Sequence, residues 1–185
     1  MAVTFFYGIS GTLKTTTVDH LLKAGDCGVV RSKIKTWKNL ESGIFSGLID
    51  YNDLNYALLH LCILEHEVEK SKNKNILVER GITDMFYFSL RNTGMNVEDD
   101  VIYEAVNKEE FDICEGNINK ILLIQKDTKF IENVVLKDPV RAKIFPNGLN
   151  QYLENQEDYI EFTKKYNSIT QIIEIKDAEK YLAGM

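Results

Sequence analysis

A three-layer α/β fold, with a parallel sheet covered by helices on both faces, follows from three observations on this sequence. Compact apolar runs recur at Val3 to Tyr7, Ile76-Leu77-Val78, Ile121-Leu122-Leu123-Ile124 and Ile172-Ile173-Glu174-Ile175, a type that suits strands buried on both faces. Between them lie stretches with apolar residues every three or four positions, the period of a helix. Strands separated by helices imply right-handed crossovers and hence a parallel sheet. The third observation is continuity: 185 residues, 44% hydrophobic, hold two prolines and no Ser/Gly-rich linker, which suits one domain over residues 1–185.

The run Val3 to Tyr7 leads into a helix over 15–22, where Val18, Leu21 and Leu22 keep helical spacing until Gly25 stops it. Val29-Val30 is a short second strand. Residues 32–50 carry mixed charges, Trp37 and two glycines without a clear period, and read as loop and short helix. Over 52–70, Leu54, Ala57, Leu58, Leu61, Leu64 and Val68 mark an amphipathic helix. Further helices are predicted over 84–91, closed by Gly94, over 97–106 and over 151–166.

Acidic residues outnumber basic ones 28 to 22, a net charge of −6, which argues against a surface that holds duplex nucleic acid throughout by neutralising phosphates. Cys27, Cys62 and Cys114 are odd in number and lack a C-x-x-C pairing. Neither a disulfide scaffold nor a zinc site is expected, and a cytoplasmic setting is the simplest inference. Val3 to Tyr7 runs directly into Gly8 without a charged leader, and no apolar run approaches the roughly 20 residues a bilayer span needs. A soluble chain with no membrane partner is therefore expected. His20, His60 and His66 lack a ligand spacing and read as ordinary helix residues.

Gly-Ile-Ser-Gly-Thr-Leu-Lys-Thr, residues 8–15, follows the pattern G-x-x-x-x-G-K-[ST] except that Leu13 replaces the second glycine. It sits where a phosphate loop belongs, between a predicted strand and a predicted helix. Successive backbone N–H groups there curl around a phosphate, and the helix N-terminus adds partial positive charge. Gly8, Ile9, Ser10, Gly11, Thr12, Leu13, Lys14, Thr15 and Thr16 are the candidate nucleotide-binding residues. Lys14 would reach the β- and γ-phosphates, and the Thr15 hydroxyl would serve Mg²⁺. Leu13 is expected to resist the left-handed backbone that glycine allows. The other reading is a tight strand-to-helix turn with Thr15 as its cap.

After the third predicted strand, Ile76-Leu77-Val78, the chain reads Glu79-Arg80-Gly81-Ile82-Thr83-Asp84. Residues just past the carboxyl ends of parallel strands face the ligand crevice. Glu79 can hold Mg²⁺ or its waters there, and Arg80 can neutralise a phosphoryl group in transfer. The alternative is a surface ion pair, with Asp84 capping the next helix.

With the loop at 8–15, the Glu79-Arg80-Gly81 and Asp84 group, and Lys137-Asp138-Pro139-Val140-Arg141-Ala142-Lys143 between the fourth and fifth predicted strands, the sequence resembles the P-loop nucleoside and nucleotide kinases. That family includes thymidylate kinase, deoxynucleoside kinases and related phage enzymes. The resemblance implies a P-loop kinase fold with five parallel strands in the order 2-3-1-4-5 and a helical lid, here residues 126–155. It implies ATP and Mg²⁺ as cofactors, with γ-phosphoryl transfer by Lys14, Glu79, Arg80 and the lid residue Arg141, and metal held through Thr15 and Glu79. Lys143 is a second candidate lid cation.

A hydroxyl acceptor usually needs a carboxylate base, whereas a phosphate acceptor does not. After the second strand stand Arg31, Ser32 and Lys33, so a cationic pair occupies the place where nucleoside kinases carry the acid. Arg31 and Lys33 are candidate substrate residues, with Asp84 and Tyr87, the other readings being solvated surface charges for the cationic pair and, for Tyr87, an aromatic anchor of its helix to the sheet; the expected acceptor is a (deoxy)nucleoside monophosphate. Glu79 or Asp50 remains available as a base. The rival acceptor is a nucleic-acid hydroxyl, for which Arg31, Lys33, Lys35 and Lys38 around Trp37 offer charge and stacking; Trp37 packing on the core is the other reading. A third reading, supported by Leu13, is a catalytically inactive nucleotide-binding module. A homodimer completes the expected partners.

Overall fold

The computed structural model describes residues 1–25, 27–31, 55–71, 74–94, 96–168 and 171–175. Five parallel strands form one sheet: β1 (Val3–Tyr7), β2 (Cys27–Arg31), β3 (Asn75–Glu79), β4 (Ile118–Ile124) and β5 (Gln171–Glu174), in the order 2-3-1-4-5. The expected architecture and strand order are those observed. β1 is central because all five of its residues are apolar or aromatic or otherwise able to be enclosed, and every one is buried.

Successive strand side chains point to opposite faces, and each face of the sheet has its own core. Phe5 and Tyr7 join Ile76, Val78 and Leu122 on one face. Phe6 joins Leu77, Ile121, Leu123 and Ile173 on the other, where Val18 and Leu21 of α1 (Lys14–Ala24) cover them. The first face is covered by α2 (Asn55–Lys70) through Leu64 and by the long helix Leu149–Tyr166 through Tyr152 and Tyr159.

Between these elements lie α3 (Ile82–Thr93), α4 (Asp99–Glu104), a π-helical turn (Ala105–Glu109) and α5 (Glu110–Ile113). The helix expected over 97–106 therefore runs on through a wider turn to residue 113, and this passage delivers Glu110 to the interior, where it is wholly buried. Gly94 closes α3 in the left-handed conformation, φ 65°, as the residue type suggests.

The segment expected as a lid contains α6 (Thr128–Phe130), a second π-helical turn (Ile131–Val135) and α7 (Pro139–Ile144), and its last residues begin α8 (Leu149–Tyr166). Ile131 and Val135 are fully buried, so this segment is seated on the core. The loop and short helix expected over 32–50, the Trp37 cluster, and the start of the helix expected at 52 lie outside the described residues.

Candidate active site

β1 ends at Tyr7 and the chain turns at once through Gly8, whose φ is 141°. A Cβ at that position would stand 2.5 Å from Thr12 Oγ1 and 2.6 Å from the Leu123 carbonyl oxygen. The tight turn thus requires glycine. The loop is then braced internally: Thr12 Oγ1 donates to the Ile9 carbonyl at 2.9 Å, and Lys14 Nζ donates to the carbonyls of Gly8 and of Ile9, the latter at 2.7 Å.

Leu13 takes φ 52° and ψ 20°, the left-handed backbone, immediately before the first residue of α1. The expected resistance of leucine to that conformation is overcome by the loop around it, at a local cost of about 1–2 kcal/mol. Residues 10–16, with Glu79, Arg80 and Arg141, line a cavity of about 120 Å³. Gly8 and Ile9, expected among the nucleotide-binding residues, are not in its wall; their carbonyls receive the Lys14 ammonium instead.

Lys14 is 5% exposed. Burial, helped by the Arg80 and Arg141 charges, pushes its ammonium well below the ordinary lysine value, against the pull of Asp84 and Glu79. Thr15 Oγ1 donates to Glu79 Oε1. The two were expected to act together, and the sheet register explains why they meet: Glu79 lies opposite Phe6 in the neighbouring strand, beside the start of the loop. A hydroxyl and a carboxylate side by side are hard oxygen donors of the kind Mg²⁺ takes, with waters and phosphate oxygens completing its shell.

Arg80 has φ 74°, so its backbone is also left-handed. Its N–H donates to the Phe6 carbonyl at 3.0 Å. The guanidinium lies 3.5 Å from Asp84 Oδ1 and sits over the Phe88 ring, 5.2 Å from its centre. Asp84 was expected to touch substrate. It is fully buried and lines neither cavity described here; its Oδ1 accepts from Tyr159 OH at 2.5 Å and faces Arg80. Burial raises the Asp84 carboxyl above the usual carboxylate value, while Arg80, Lys14 and the Tyr159 hydroxyl pull it back.

A second, larger cavity of about 640 Å³ adjoins the first. It shares Ser10 and Arg80 with it, and is otherwise lined by Ile9, Tyr87, Phe88, Arg91, Ile144, Phe145, Gln151 and Asn155. Tyr87, a candidate substrate residue, lies in this wall. Arg91 Nη1 donates to Tyr87 OH at 2.7 Å and lies 3.1 Å from Asp158 Oδ2, while Nη2 donates to Asn155 Oδ1. Arg31 ends β2 opposite Glu79 in the register; Lys33 lies outside the described residues. Arg141 lines the smaller cavity, and its backbone N–H donates to Asp138 Oδ1 at 3.1 Å. Lys143 is exposed and is in neither wall.

Beneath the Glu79-Arg80-Gly81 turn lies a buried polar group that sequence reading did not find. Glu110 Oε1 accepts from the Ile82 N–H at 2.8 Å, and Oε2 accepts from Tyr7 OH at 3.1 Å and pairs with Lys120 Nζ at 3.1 Å. Gly81 is packed against it: a Cβ there would lie 2.6 Å from Tyr7 OH and 2.7 Å from Glu110 Oε1. Arg91, Gln151 and Asn155 were likewise missed. In sequence they are polar residues on helix surfaces, and only the i, i+4 spacing of Gln151 and Asn155 hints that they share a face.

A sheet of this order, with a glycine-initiated loop at the end of its central strand leading into a helix, defines a P-loop α/β fold. Among solved structures the chain is similar to a thymidylate kinase from Ehrlichia chaffeensis, with a TM-score of 0.52 and 12% identity over 99% of this chain and 97% of that one. At that identity the likeness is one of fold. Neither a family model nor a curated protein sequence matches the chain. Among the described residues, no helix is long and apolar enough to cross a membrane.

Proposed function

We propose that this protein is an ATP-dependent kinase that transfers the γ-phosphoryl group to a nucleoside monophosphate. The observation that carries this reading is the junction of the two cavities at Ser10 and Arg80. The smaller has the loop, lysine and hydroxyl that suit a polyphosphate. The larger is within the volume range of small-molecule sites, and among the described residues its wall carries two arginines and no carboxylate. An acceptor phosphate is already ionised and needs no base, whereas a hydroxyl acceptor would call for one. The fold likeness to a thymidylate kinase supports the same class of acceptor.

In this mechanism the loop amides, Lys14, Arg80 and Arg141 neutralise the phosphoryl oxygens and align the two phosphates for in-line transfer. Lys14 leaves the Gly8 and Ile9 carbonyls for the phosphates as they enter. Thr15 and Glu79 are the residues that would hold Mg²⁺, which when bound supplies further neutralisation at the β- and γ-oxygens. Of the 126–155 segment, Arg141 on α7 is the side chain that borders the smaller cavity and would close over the phosphates, while Ile131 and Val135 keep their part of it on the core. Leu13 supports an active loop, since its backbone already has the form that the glycine of the motif provides.

The test is transfer of labelled γ-phosphate from ATP to a panel of nucleosides, nucleoside monophosphates and oligonucleotides, with Lys14→Ala as the control. Uptake by monophosphates alone is expected. Uptake confined to nucleosides or oligonucleotides, or equal traces of uptake for both proteins, would overturn the assignment.

A further inference from the structure

Asp84 is a charged side chain sealed from solvent, and its neighbours join two parts of the site that the sequence keeps far apart. One is Arg80, an arginine common to the walls of both cavities, 3.5 Å away. The other is Tyr159 on α8, whose hydroxyl donates to the same Oδ1 at 2.5 Å. Tyr159 is itself 1% exposed, with its ring edge-on to Tyr87 at 4.9 Å and stacked with Phe88 at 6.5 Å. Burial and the adjacent Asp84 raise its hydroxyl well above the ordinary tyrosine value, so the hydroxyl keeps its proton and stays a donor.

The register of α8 gives this contact its meaning. Gln151 and Asn155 line the larger cavity, and Tyr159 follows Asn155 by four residues on the same side of the helix. The helix cannot slide freely, because Gln156 is buried and clamped to the end of β4: its Oε1 accepts from the Gln125 N–H at 2.7 Å and its Nε2 donates to the Gln125 carbonyl at 2.9 Å. The helix that faces the acceptor thus ends its reach on the carboxylate that faces Arg80.

We propose that Tyr159 is a positioning residue: through Asp84 it holds the Arg80 guanidinium at the boundary of the two cavities, tying acceptor-facing α8 to the arginine that meets the phosphoryl group. This rests on the phosphoryl-transfer reading above. An arginine that neutralises charge in transfer must be set before the substrate arrives, and the Asp84 carboxylate stands 3.5 Å from the Arg80 guanidinium. Charged and titratable groups face Asp84 from each element around it: Arg80 from the β3–α3 turn, Lys14 from the phosphate loop, Tyr7 from β1 and Tyr159 from α8.

Two variants test the tether. Tyr159→Phe keeps the ring and its aromatic contacts and removes the hydroxyl, and Asp84→Asn keeps a hydrogen-bond acceptor and removes the charge. Each should lower kcat about tenfold with KM for ATP within about twofold, and the double variant should be no slower than the slower single, as members of one chain of contacts behave. The acid limb of the pH–kcat profile should move to higher pH in Tyr159→Phe, because the lost hydrogen bond favoured the ionised carboxylate. In both variants the NMR signal of the Arg80 Nε–H, assigned by its loss in Arg80→Lys, should shift. Wild-type kcat and acid limb together with an unmoved Arg80 signal in folded Tyr159→Phe overturn the proposal, as do fully multiplicative effects in the double variant. If the wild type transfers phosphate to no acceptor, the kinase reading fails on its own, and the Arg80 signal still decides whether Tyr159 sets that side chain.

Discussion

The two cavities that meet at Ser10 and Arg80 are built in opposite ways. The wall of the smaller cavity is mostly one unbroken stretch, residues 10–16, with three side chains added from elsewhere. The larger cavity gathers its wall from the loop, α3, the end of α7 and the start of α8, and its arginine and amide groups are oriented by one another. A contiguous loop carries its geometry in its own backbone, through Gly8, the left-handed Leu13 and the bonds from Lys14 and Thr12. A gathered site depends on contacts between distant segments, and so on buried polar groups that lie outside its own wall.

The strongest way to break this contrast is at Glu110. Its carboxylate holds the Ile82 N–H, Tyr7 OH and Lys120 in a fully enclosed setting. Removing one member of a buried pair strands the other charge, so Glu110→Ala should lower stability by about 3–5 kcal/mol. Urea denaturation followed by circular dichroism measures it; a loss below about 1 kcal/mol would mean that the turn stands without this support.

Lys14→Ala tests the loop side. The folded loop should survive, because Thr12 still bonds Ile9 and Gly8 still turns. Transfer should fall by about 10²–10³-fold, the loss that follows removal of one aligned donor from a charge-stabilising site. Steady-state kinetics with a monophosphate acceptor, beside a thermal melt, separates the two effects.

Arg91→Ala addresses the gathered side alone. It removes the donor that fixes Asn155 and Tyr87 without touching the loop, so KM for the acceptor should rise about 10-fold or more, as for loss of a charged hydrogen bond, while KM for ATP stays within about twofold. A matched rise in both constants would show that the cavities are not separable in the way their construction suggests.

The same contrast explains what the sequence disclosed. The strands β1, β3 and β4 were legible because strands buried on both faces leave apolar runs, whereas the edge strands showed less: Val29-Val30 is a run of two, and Ile172 of β5 is 45% exposed. Gly8, Glu79 and Arg80 were legible because they stand at the carboxyl ends of β1 and β3, and Lys14 and Thr15 because they complete the loop pattern. Arg91, Gln151 and Asn155 were not, since a polar residue on a helix reads as solvated until packing brings three helices together. Glu110 and Lys120 were hidden for a further reason. They are ten residues apart, on a helix and a strand, and nothing in composition distinguishes a sealed ion pair from two surface charges. Asp84 shows the intermediate case: its position next to the site was readable, but its direction, toward Arg80 and Tyr159, was not.

Leu13→Gly should produce the smallest effect and the sharpest reading of how the loop is made. Leucine at φ 52° carries a left-handed strain of about 1–2 kcal/mol, which glycine removes. Glycine also has more freedom to lose on folding, about 0.5–1 kcal/mol relative to alanine, so the net gain in stability should be no more than about 1 kcal/mol. Leu13 is only half-buried, which limits the packing lost with its side chain. If the loop geometry is set by Gly8, the Thr12 and Lys14 bonds and the helix behind them, the variant should bind ATP within about threefold of the wild type. A gain in ATP affinity of tenfold or more would mean that leucine holds the loop away from its binding form, and that residue 13, rather than the bracing around it, governs the smaller cavity.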